Sequence, residues 1–352
     1  MSEVLRPVGP SRWGMAIWLA LGLGAILGVT AAVGRPALGS ALGLGFVLTA
    51  VPSLPVAWRP ALVTMGVRGL AILVGATLAV LTSEHPLALA VVTVAAAAGG
   101  ALSVEVGPTA ALAVVLIAID VPHDPGAASL VPYLVGALVV PVAWSAWYGC
   151  TVVFGRRGLP APPSGRSGAP WRERRPHAIR VGIAVAVAVG VAGLLPDDLV
   201  GGHWLVTSVV LTVQPVARET GLRLAQRLSG NTVGALIAAL MLGTHPSLPV
   251  VAVLTVVLFT LAMALRPVNY TWWAVTGPPV LLVISEYPAL FPWYEGGVRL
   301  AMNLGGAVIV LLVVFGAPAL GRLGRLGHPD AAPDFPQRDS SDSVYKIQLR
   351  RS

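Results

Sequence analysis

The amino-acid sequence predicts an all-α, polytopic membrane protein, and three observations lead to that fold class. Of its 352 residues, 56% are apolar and only 11% are charged. Mean hydropathy is +0.81. The apolar residues form long blocks instead of the short alternating segments of a membrane β-barrel. Soluble domains carry about 25% charged residues and disordered chains combine low hydrophobicity with high charge, so both classes are excluded.

Twelve apolar blocks divide the chain, each a candidate membrane crossing, for which about 20 residues are needed. In the first half they are residues 13–33, 37–51, 67–81, 87–102, 108–119 and 130–154. In the second half they are residues 178–195, 203–216, 228–242, 248–265, 269–285 and 296–315. The shorter blocks are expected to be tilted, broken, or lined by protein instead of lipid.

The basic residues predict the orientation of these spans. If the N-terminus is cytoplasmic, 21 of the 23 basic residues fall on the cytoplasmic side, and only Arg35 and Arg299 fall outside. This is the asymmetry of the positive-inside rule. We therefore predict a multi-pass inner (plasma) membrane protein with both termini in the cytoplasm. The first block fits a cleaved signal peptide less well, because its apolar stretch is long and cleavage would leave an odd number of spans.

The chain divides into two six-helix halves, residues 1–154 and 177–316. Residues 155–176, rich in Arg, Pro and Gly, are predicted to be a cytoplasmic linker, and residues 317–352 a disordered cytoplasmic tail. Four pairs of short motifs recur in the same order in both halves: 48–52 with 211–215, 68–76 with 227–235, 84–86 with 244–246, and 120–122 with 286–288. Six crossings per half predict two parallel repeats, with a transport pathway expected between them.

Composition also bears on partners and cofactors. The net charge is +8, but the basic residues lie between apolar blocks, so the lipid bilayer is the expected partner and nucleic acid is not. The single cysteine, Cys150, allows no intrachain disulfide and no cysteine-based metal site. No nucleotide-binding, nucleophile-elbow or zinc-protease motif occurs. The sequence therefore predicts no enzyme activity, no cofactor and no metal.

The most distinctive stretch runs from His203 to Gly234. Proline removes a backbone donor, so Gln214-Pro215 is expected to end a helix. We expect a loop that carries four polar residues, followed by a helix that opens at Gly230; these four are Arg218, Thr220, Arg223 and Arg227. Glycines four residues apart, as at Gly230 and Gly234, permit close contact between helices.

This stretch, with the His-Ala-Ile-Arg run at 177–180, resembles the FUSC family of fusaric-acid-resistance and aromatic-acid-exporter proteins, distant relatives of plant aluminium-activated malate channels. The family pattern is H-A-x-R, a Y/H-W step, a helix ending near Q-P, and R-x-x-G-T-x-x-G. This chain has Ser-Gly-Asn-Thr at 229–232 where the family has Gly-Thr. The second half matches well, whereas the first half matches only in its helix pattern.

The resemblance implies export or passive conduction of organic anions, above all aromatic carboxylates. An inside-negative potential favours loss of one negative charge by about 2.3 kcal/mol per 100 mV, so proton coupling is optional. Guanidinium groups bind carboxylates bidentately, which suggests an anion-recruiting site near the cytoplasm. The hypothetical substrate-binding residues are Arg180, Arg223, Arg227, Arg68, Asn231 and Thr232. The alternative is that the arginines are only topology anchors or lipid contacts.

Other polar residues are weaker candidates for the pathway or for coupling: Gln214, Asp120, Glu286, Arg299 and Asn303. The two carboxylates end corresponding helices, where they would either bind a proton or be solvated. His203 is expected at a helix start. Three aromatic residues at the start of a span fit an interfacial belt or a stacking surface for substrate; they are Tyr270, Trp272 and Trp273. Prolines at 278–279 interrupt an ordinary helix, either beside a transporter binding site or at a kink that serves packing.

A second class of function remains open, a non-transporting scaffold or assembly subunit of a cell-envelope complex. A transporter should bring polar residues together on a pathway, whereas a scaffold should have an apolar, tightly packed interface and a stable partner. A membrane enzyme would need clustered acids, bases or metal ligands, which the sequence does not contain. Neither a homo-oligomer nor a periplasmic adaptor follows from the sequence.

Overall fold

The computed structural model describes residues 3–51, 54–120, 126–153, 171–196, 201–244, 246–286 and 295–316. Within these ranges the chain forms twelve α-helices and no β-strand. In the first half the helices are α1 (Trp13–Ala32), α2 (Pro36–Ala50), α3 (Trp58–Thr82), α4 (Pro86–Ala101), α5 (Thr109–Asp120) and α6 (Val131–Val153). In the second half they are α7 (Trp171–Ala192), α8 (Gly202–Thr212), α9 (Ala217–Gly243), α10 (Leu248–Leu265), α11 (Tyr270–Glu286) and α12 (Glu295–Leu311).

Five of these helical segments are long and apolar enough to cross a membrane. They are Trp13–Ala32, Trp58–Thr82, Ala127–Thr151, Arg174–Ala192 and Gly296–Gly316. Five shorter apolar helices, α2, α4, α5, α8 and most of α10, accompany them. The fold is therefore that of an all-helical, polytopic membrane protein.

The helix boundaries agree with most of the predicted apolar blocks, but three helices begin earlier. Helix α3 begins at Trp58, α7 at Trp171 and α9 at Ala217. The predicted loop holding Arg218, Arg223 and Arg227 is wrong, because these residues lie within α9. Helix α7 likewise includes residues 171–176 of the predicted linker, while residues 154–170 and the predicted tail lie outside the described residues. A prediction from hydropathy ends a span at the first charged residues, whereas the helical hydrogen bonds of the backbone continue through those residues.

Short helices form the centre of the molecule. Nearly every residue of α5 from Thr109 to Ile117 is buried, and so are Gly43–Ala50 of α2 and Trp204–Val210 of α8. A helix that is apolar on all sides is buried on all sides. These helices are therefore lined by protein, which explains why they are shorter than a lipid-exposed crossing. Leucine and valine side chains of α1, α3, α4, α7 and α9 are exposed around the outside.

Helix contacts follow the same pattern in both halves. In the first half α3 packs on α5, α2 on α6, and α4 on α5. In the second half α9 packs on α11, α8 on α12, and α10 on α11. Between the halves α1 contacts α10 while α4 contacts α7, and α2 contacts α11 while α5 contacts α8. Each of these contacts thus has its counterpart in the other half, six helices away along the chain.

Glycines allow the closest of these contacts. A Cβ at Gly234 of α9 would overlap the carbonyl oxygen of Val275 in α11, and a Cβ at Gly230 would collide with Ala274. The Gly230–Gly234 pair therefore brings α9 against α11, as the sequence pattern predicts.

The segment before α1 packs against the start of α11 in the second half. The carbonyl oxygen of Val4 accepts hydrogen bonds from Asn269 Nδ2 at 2.8 Å and Thr271 Oγ1 at 3.0 Å. The amide of Val8 donates to the carbonyl of Val268 at 2.7 Å. We call residues 3–9 the N-terminal strap. The strap also contacts α9, because Gln226 Nε2 donates to the carbonyl of Val4 at 3.3 Å, one residue before Arg227.

Candidate functional site

The centre of the candidate site is Arg227, which lies inside α9. At about 1.5 Å per residue its Cα is roughly 15 Å along the helix from Ala217. The residue is 6% exposed, and its guanidinium donates to Tyr270 Oη at 3.1 Å and to Asn303 Oδ1 at 3.0 Å. Among the described residues no carboxylate pairs with it. Burying a cation without a counter-ion costs free energy of desolvation, which binding of an anion would offset.

Two asparagines surround this guanidinium. Asn231 lies one helical turn beyond Arg227, and its Nδ2 donates to Asn303 Oδ1 at 2.8 Å. That oxygen of Asn303 therefore accepts from both residues of α9, while its own Nδ2 donates to the carbonyl of Arg299 at 2.8 Å. Arg227 Nε and Asn231 Oδ1 are buried and have no hydrogen-bond partner among the described residues. One donor and one acceptor thus remain for a ligand or water.

A second buried arginine, Arg299 of α12, extends the site. Its guanidinium carbon lies 3.5 Å from the ring centroid of Trp204, and its Nη1 donates to the carbonyl of Pro278 at 2.8 Å. The first is a cation–π contact, which favours the charged arginine in an apolar setting. The predicted position of Arg299 at the outer edge is refined accordingly: its side chain is 7% exposed and points into the protein.

Helix α11 continues through Pro278 and Pro279 instead of breaking there. Proline has no N–H, so the carbonyl groups of Ala274 and Val275 receive no helical hydrogen bond from these two positions. Helix α9 meets α11 at those two residues, where Gly230 and Gly234 let its backbone approach. The prolines therefore mark the place where α9 meets α11 beside Arg299.

Two small adjoining cavities lie between α8, α9, α11 and α12. Four residues line both of them: Asn231, Pro278, Arg299 and Asn303. The one that also reaches Arg227 has room for water-sized spheres over about 20 Å³. That volume holds about one water molecule, so an organic anion enters only if the helices separate.

Two further arginines, Arg223 and Arg266, lie against aromatic residues of this site. The guanidinium of Arg223 lies 3.7 Å from the ring centroid of Tyr270, and that of Arg266 lies 4.8 Å from the ring centroid of Trp273. Arg266 Nη1 is buried and has no hydrogen-bond partner among the described residues. Arg223 and Arg227 share a helix face, as their spacing predicts, and Tyr270 lies against both. The electrostatic environment here attracts anions.

Several predicted site residues lie outside the two cavities. Arg180 donates to the carbonyl of Pro215 at 2.7 Å, at the end of α8. Thr232 is exposed and bonds to the carbonyl of Leu228 in its own helix. Gln214 follows α8, where its amide donates to Thr220 Oγ1 at 3.0 Å. The contacts of Arg180 and Gln214 thus lie at the end of α8 and the turn that follows it, whereas that of Thr232 lies within α9.

Arg68, predicted as the first-half counterpart of Arg227, has a different environment. It is 3% exposed and donates to the backbone carbonyls of Thr49 at 3.0 Å and Glu105 at 3.1 Å. It thereby joins the end of α2 to the loop before α5. The first half carries the apolar Ile72 at the repeat position of Asn231, so Arg68 has no counterpart of that asparagine beside it.

The two carboxylates end corresponding helices. Asp120 ends α5; its carboxyl group accepts a hydrogen bond from Tyr133 Oη at 2.7 Å and lies 3.0 Å from Ser40 Oγ. Glu286 ends α11, and its side chain lies outside the described residues. His203 lies at the start of α8 against Trp204, as expected of a residue at a helix start.

The aromatic residues at the start of α11 divide between two environments. Tyr270 and Trp273 are buried beside the arginines, whereas Trp272 is 44% exposed, as in an interfacial belt. Sequence reasoning missed Arg266 and Trp204 as site residues, and the hydrogen bond of Tyr270. Arg266 counted only as a topology signal, although an Arg-Pro step between two apolar spans could have drawn attention to it.

Comparison with known proteins places the site within a matched domain. Residues 181–313 match the family model described as fusaric acid resistance protein-like. A protein of Haemophilus influenzae described as uncharacterized is 29% identical over 96 residues, which are 27% of this chain and 13% of that protein. The match thus spans only a small part of the curated relative. No solved structure matches this chain.

Proposed function

Because residues 181–313 form a domain of the fusaric acid resistance protein-like family, we propose that the protein exports or conducts organic anions, chiefly aromatic carboxylates. The family is one of membrane transporters, which agrees with an all-helical, multi-pass fold. The single observation that carries the proposal is Arg227, a buried guanidinium with one free donor and no carboxylate partner among the described residues. Such a group is costly in a scaffold and useful in an anion pathway.

The neighbours of Arg227 support an aromatic substrate. Trp204 and Trp273 line the same cavity, and Tyr270 lies between Arg223 and Arg227. The carboxylate of a substrate would bind at Arg227 Nε in this cavity, and the substrate's aromatic ring would lie against an indole. The small cavity volume corresponds to an occluded state, so transport requires separation of α9 or α12 from α11.

The pathway that we propose lies within the second half instead of between the halves. Anions would enter past Arg223 and Arg266, reach Arg227, and leave past Arg299. Arg68 would stabilise the first half through the carbonyls of Thr49 and Glu105. Membrane potential, inside negative, would drive export, and a proton gradient would be an added source of energy.

We also propose that all twelve helices cross the inner membrane as two parallel repeats with cytoplasmic termini. The recurrence of the same helix contacts six helices apart supports the repeat. The distribution of basic residues supports the orientation. In this arrangement Arg223 and Arg266 are near the cytoplasm, and Asp120 is near the outside.

The test is flux of a labelled aromatic carboxylate from proteoliposomes, with a potassium diffusion potential of either sign. We expect efflux that is accelerated by an inside-negative potential and slowed by the opposite sign, well above protein-free vesicles. A series of aliphatic and aromatic acids of equal charge would define the substrate class. Folded protein that conducts none of these acids under either potential would contradict the proposal and favour the scaffold.

A further inference from the structure

A chain of hydrogen-bonding groups at the end of α5 joins the two halves. Tyr133 Oη of α6 lies 2.7 Å from Asp120 Oδ2, and Ser40 Oγ of α2 lies 3.0 Å from Asp120 Oδ1. The same Ser40 oxygen lies 2.6 Å from the carbonyl oxygen of Ile284 in α11. The last carbonyl groups of a helix have no intrahelical donor, so Ser40 supplies one to α11.

Counting protons shows that this chain depends on the charge of Asp120. Serine has one hydroxyl proton, and Ile284 offers only an acceptor. If Ser40 donates to Ile284, its contact with Asp120 is a hydrogen bond only when the carboxyl group is protonated and donates. If Asp120 is ionised, Ser40 can donate its one proton either to the carboxylate or to the Ile284 carbonyl, but not to both. All three contacts therefore coexist as single hydrogen bonds only with a protonated Asp120.

Helix α11 connects this chain to the anion site. Its first residue, Tyr270, bonds Arg227, and its Pro278 carbonyl bonds Arg299. Ile284 is about 21 Å further along the helix from Tyr270, at ~1.5 Å per residue. There α11 packs closely on α2, since a Cβ at Gly43 would lie 3.1 Å from Ile284 Cγ2. A change in the attachment at Ile284 thus acts on the helix that holds both cavity arginines.

We propose that Asp120 is a proton-binding site whose charge controls the attachment of α11 to the first half. Protonation completes the chain from Tyr133 through Asp120 and Ser40 to Ile284 and holds α11 in the occluded arrangement. Loss of the proton to the adjoining aqueous phase draws the Ser40 hydroxyl to the carboxylate and frees the Ile284 carbonyl. The effect on anion flux rests on the proposed function, whereas proton binding and helix attachment do not.

The surroundings of Asp120 are polar but carry little charge. From α6 the ionisable neighbour is Tyr133, which donates to the carboxyl group. From α2 the neighbour is the Ser40 hydroxyl, while Arg35 at the start of that helix is exposed. From α11 the described neighbour is the Ile284 carbonyl. Helix α5 also packs on α3, α4 and α8, and no contact with Asp120 is described for the ionisable residues at that end of these helices, Glu84, His85 and His203. Two hydroxyl groups, and no described ion pair, therefore bear on the protonation of Asp120.

The experiment measures proton binding and helix attachment on the full-length protein in detergent, without substrate. Infrared difference spectra across pH should show a protonated-carboxyl band that titrates in the wild type and is lost in Asp120→Asn. Hydrogen exchange of the last turn of α11, corrected for intrinsic rates, should become about fivefold faster as Asp120 ionises, as expected for one lost hydrogen bond.

Two variants and a control separate the outcomes. In Asp120→Asn the amide can donate to Ser40 at every pH, so exchange should stay slow throughout. In Ser40→Ala the link to Ile284 is absent, so exchange should be fast throughout. Ser83→Ala is the matched control, because the described contact of that hydroxyl is with the carbonyl of Val80, in the helix that Ser83 follows. Exchange in the wild type that is independent of pH, or Ser40→Ala that exchanges like the wild type, would overturn the proposal.

A flux assay links this site to transport. Anion efflux by the wild type should depend on the pH outside the vesicles, and Asp120→Asn should lose that dependence. If no efflux is seen with any variant, the proposed function fails while the spectra and exchange still decide on proton binding. If efflux occurs and its pH dependence survives Asp120→Asn, coupling through Asp120 is refuted.

Discussion

Arg227 and Asn303 are joined by a hydrogen bond of 3.0 Å from Nη2 to Oδ1, at an oxygen that Asn231 also reaches. A neutral amide thus holds the buried guanidinium in place and leaves its positive charge uncompensated. A carboxylate at position 303 would hold the same geometry but cancel the charge. This difference makes Asn303 the most informative neighbour of Arg227.

We predict that Asn303→Asp folds but loses anion transport. The carboxylate accepts from both Arg227 and Asn231, so the fold should persist, although the donor to the Arg299 carbonyl is lost. Its charge competes with a substrate carboxylate for Arg227, so flux should fall at least tenfold. Thermal unfolding in detergent and flux per folded protein are the measurements. Asn303→Asp with unchanged flux would show that the charge of Arg227 is not used.

Arg68 should prove structural. In Arg68→Leu the carbonyls of Thr49 and Glu105 lose a charged donor, which should cost about 2–4 kcal/mol of stability. Protein that remains folded should transport at nearly the wild-type rate. The measurements are thermal unfolding and flux normalised to folded protein. A stable variant with abolished flux would place Arg68 on the pathway instead.

The contact of α9 with α11 should not tolerate a side chain. Gly234→Ala places a methyl group against the Val275 carbonyl, and overpacking of this kind costs about 1–3 kcal/mol. Gly66→Ala is the control, because a Cβ there meets nothing within 4 Å. The unfolding temperature should therefore be lower for Gly234→Ala than for the wild type, and unchanged or higher for Gly66→Ala. Equal stability of both variants would mean that the helices are further apart than described.

Asn269 should hold the N-terminal strap. Its Nδ2 donates to the carbonyls of Val4 and Arg6, while its Oδ1 accepts from the amide of Thr271 at the start of α11. Asn269→Asp keeps the acceptor but loses both donations, so the strap should loosen while α11 keeps its cap. Hydrogen exchange at Val8 should accelerate by about fivefold or more. Unchanged exchange at Val8 would show that Asn269 does not retain the strap.

The sequence predicts the helices better than it predicts their ends. Apolar length places nearly all of the twelve helices, because burial in lipid or protein requires it. The start of α9 was missed because Arg218, Arg223 and Arg227 suggested a loop. Arg227 is buried within the helix there because Tyr270 and Asn303, from distant parts of the chain, accept hydrogen bonds from its guanidinium.

The candidate site was predicted in part. Arg227, Asn231, Arg299 and Asn303 were each singled out, yet only the fold shows that they share one cluster. Asn231 and Thr232 are both predicted to add polar groups at the membrane edge, but a helix turns adjacent residues to different sides, and Thr232 is exposed. The local sequence around a residue does not show which residues from distant parts of the chain it contacts.

The central claim is that Arg227 attracts the transported anion. Its most direct test compares potential-driven efflux of a labelled aromatic carboxylate by wild type, Arg227→Ala and Arg218→Ala. Arg218 is the control because it is exposed and paired with Glu3 at the surface. We expect Arg227→Ala to lose at least tenfold of the flux and Arg218→Ala to keep it. Equal flux from all three folded proteins would contradict the claim.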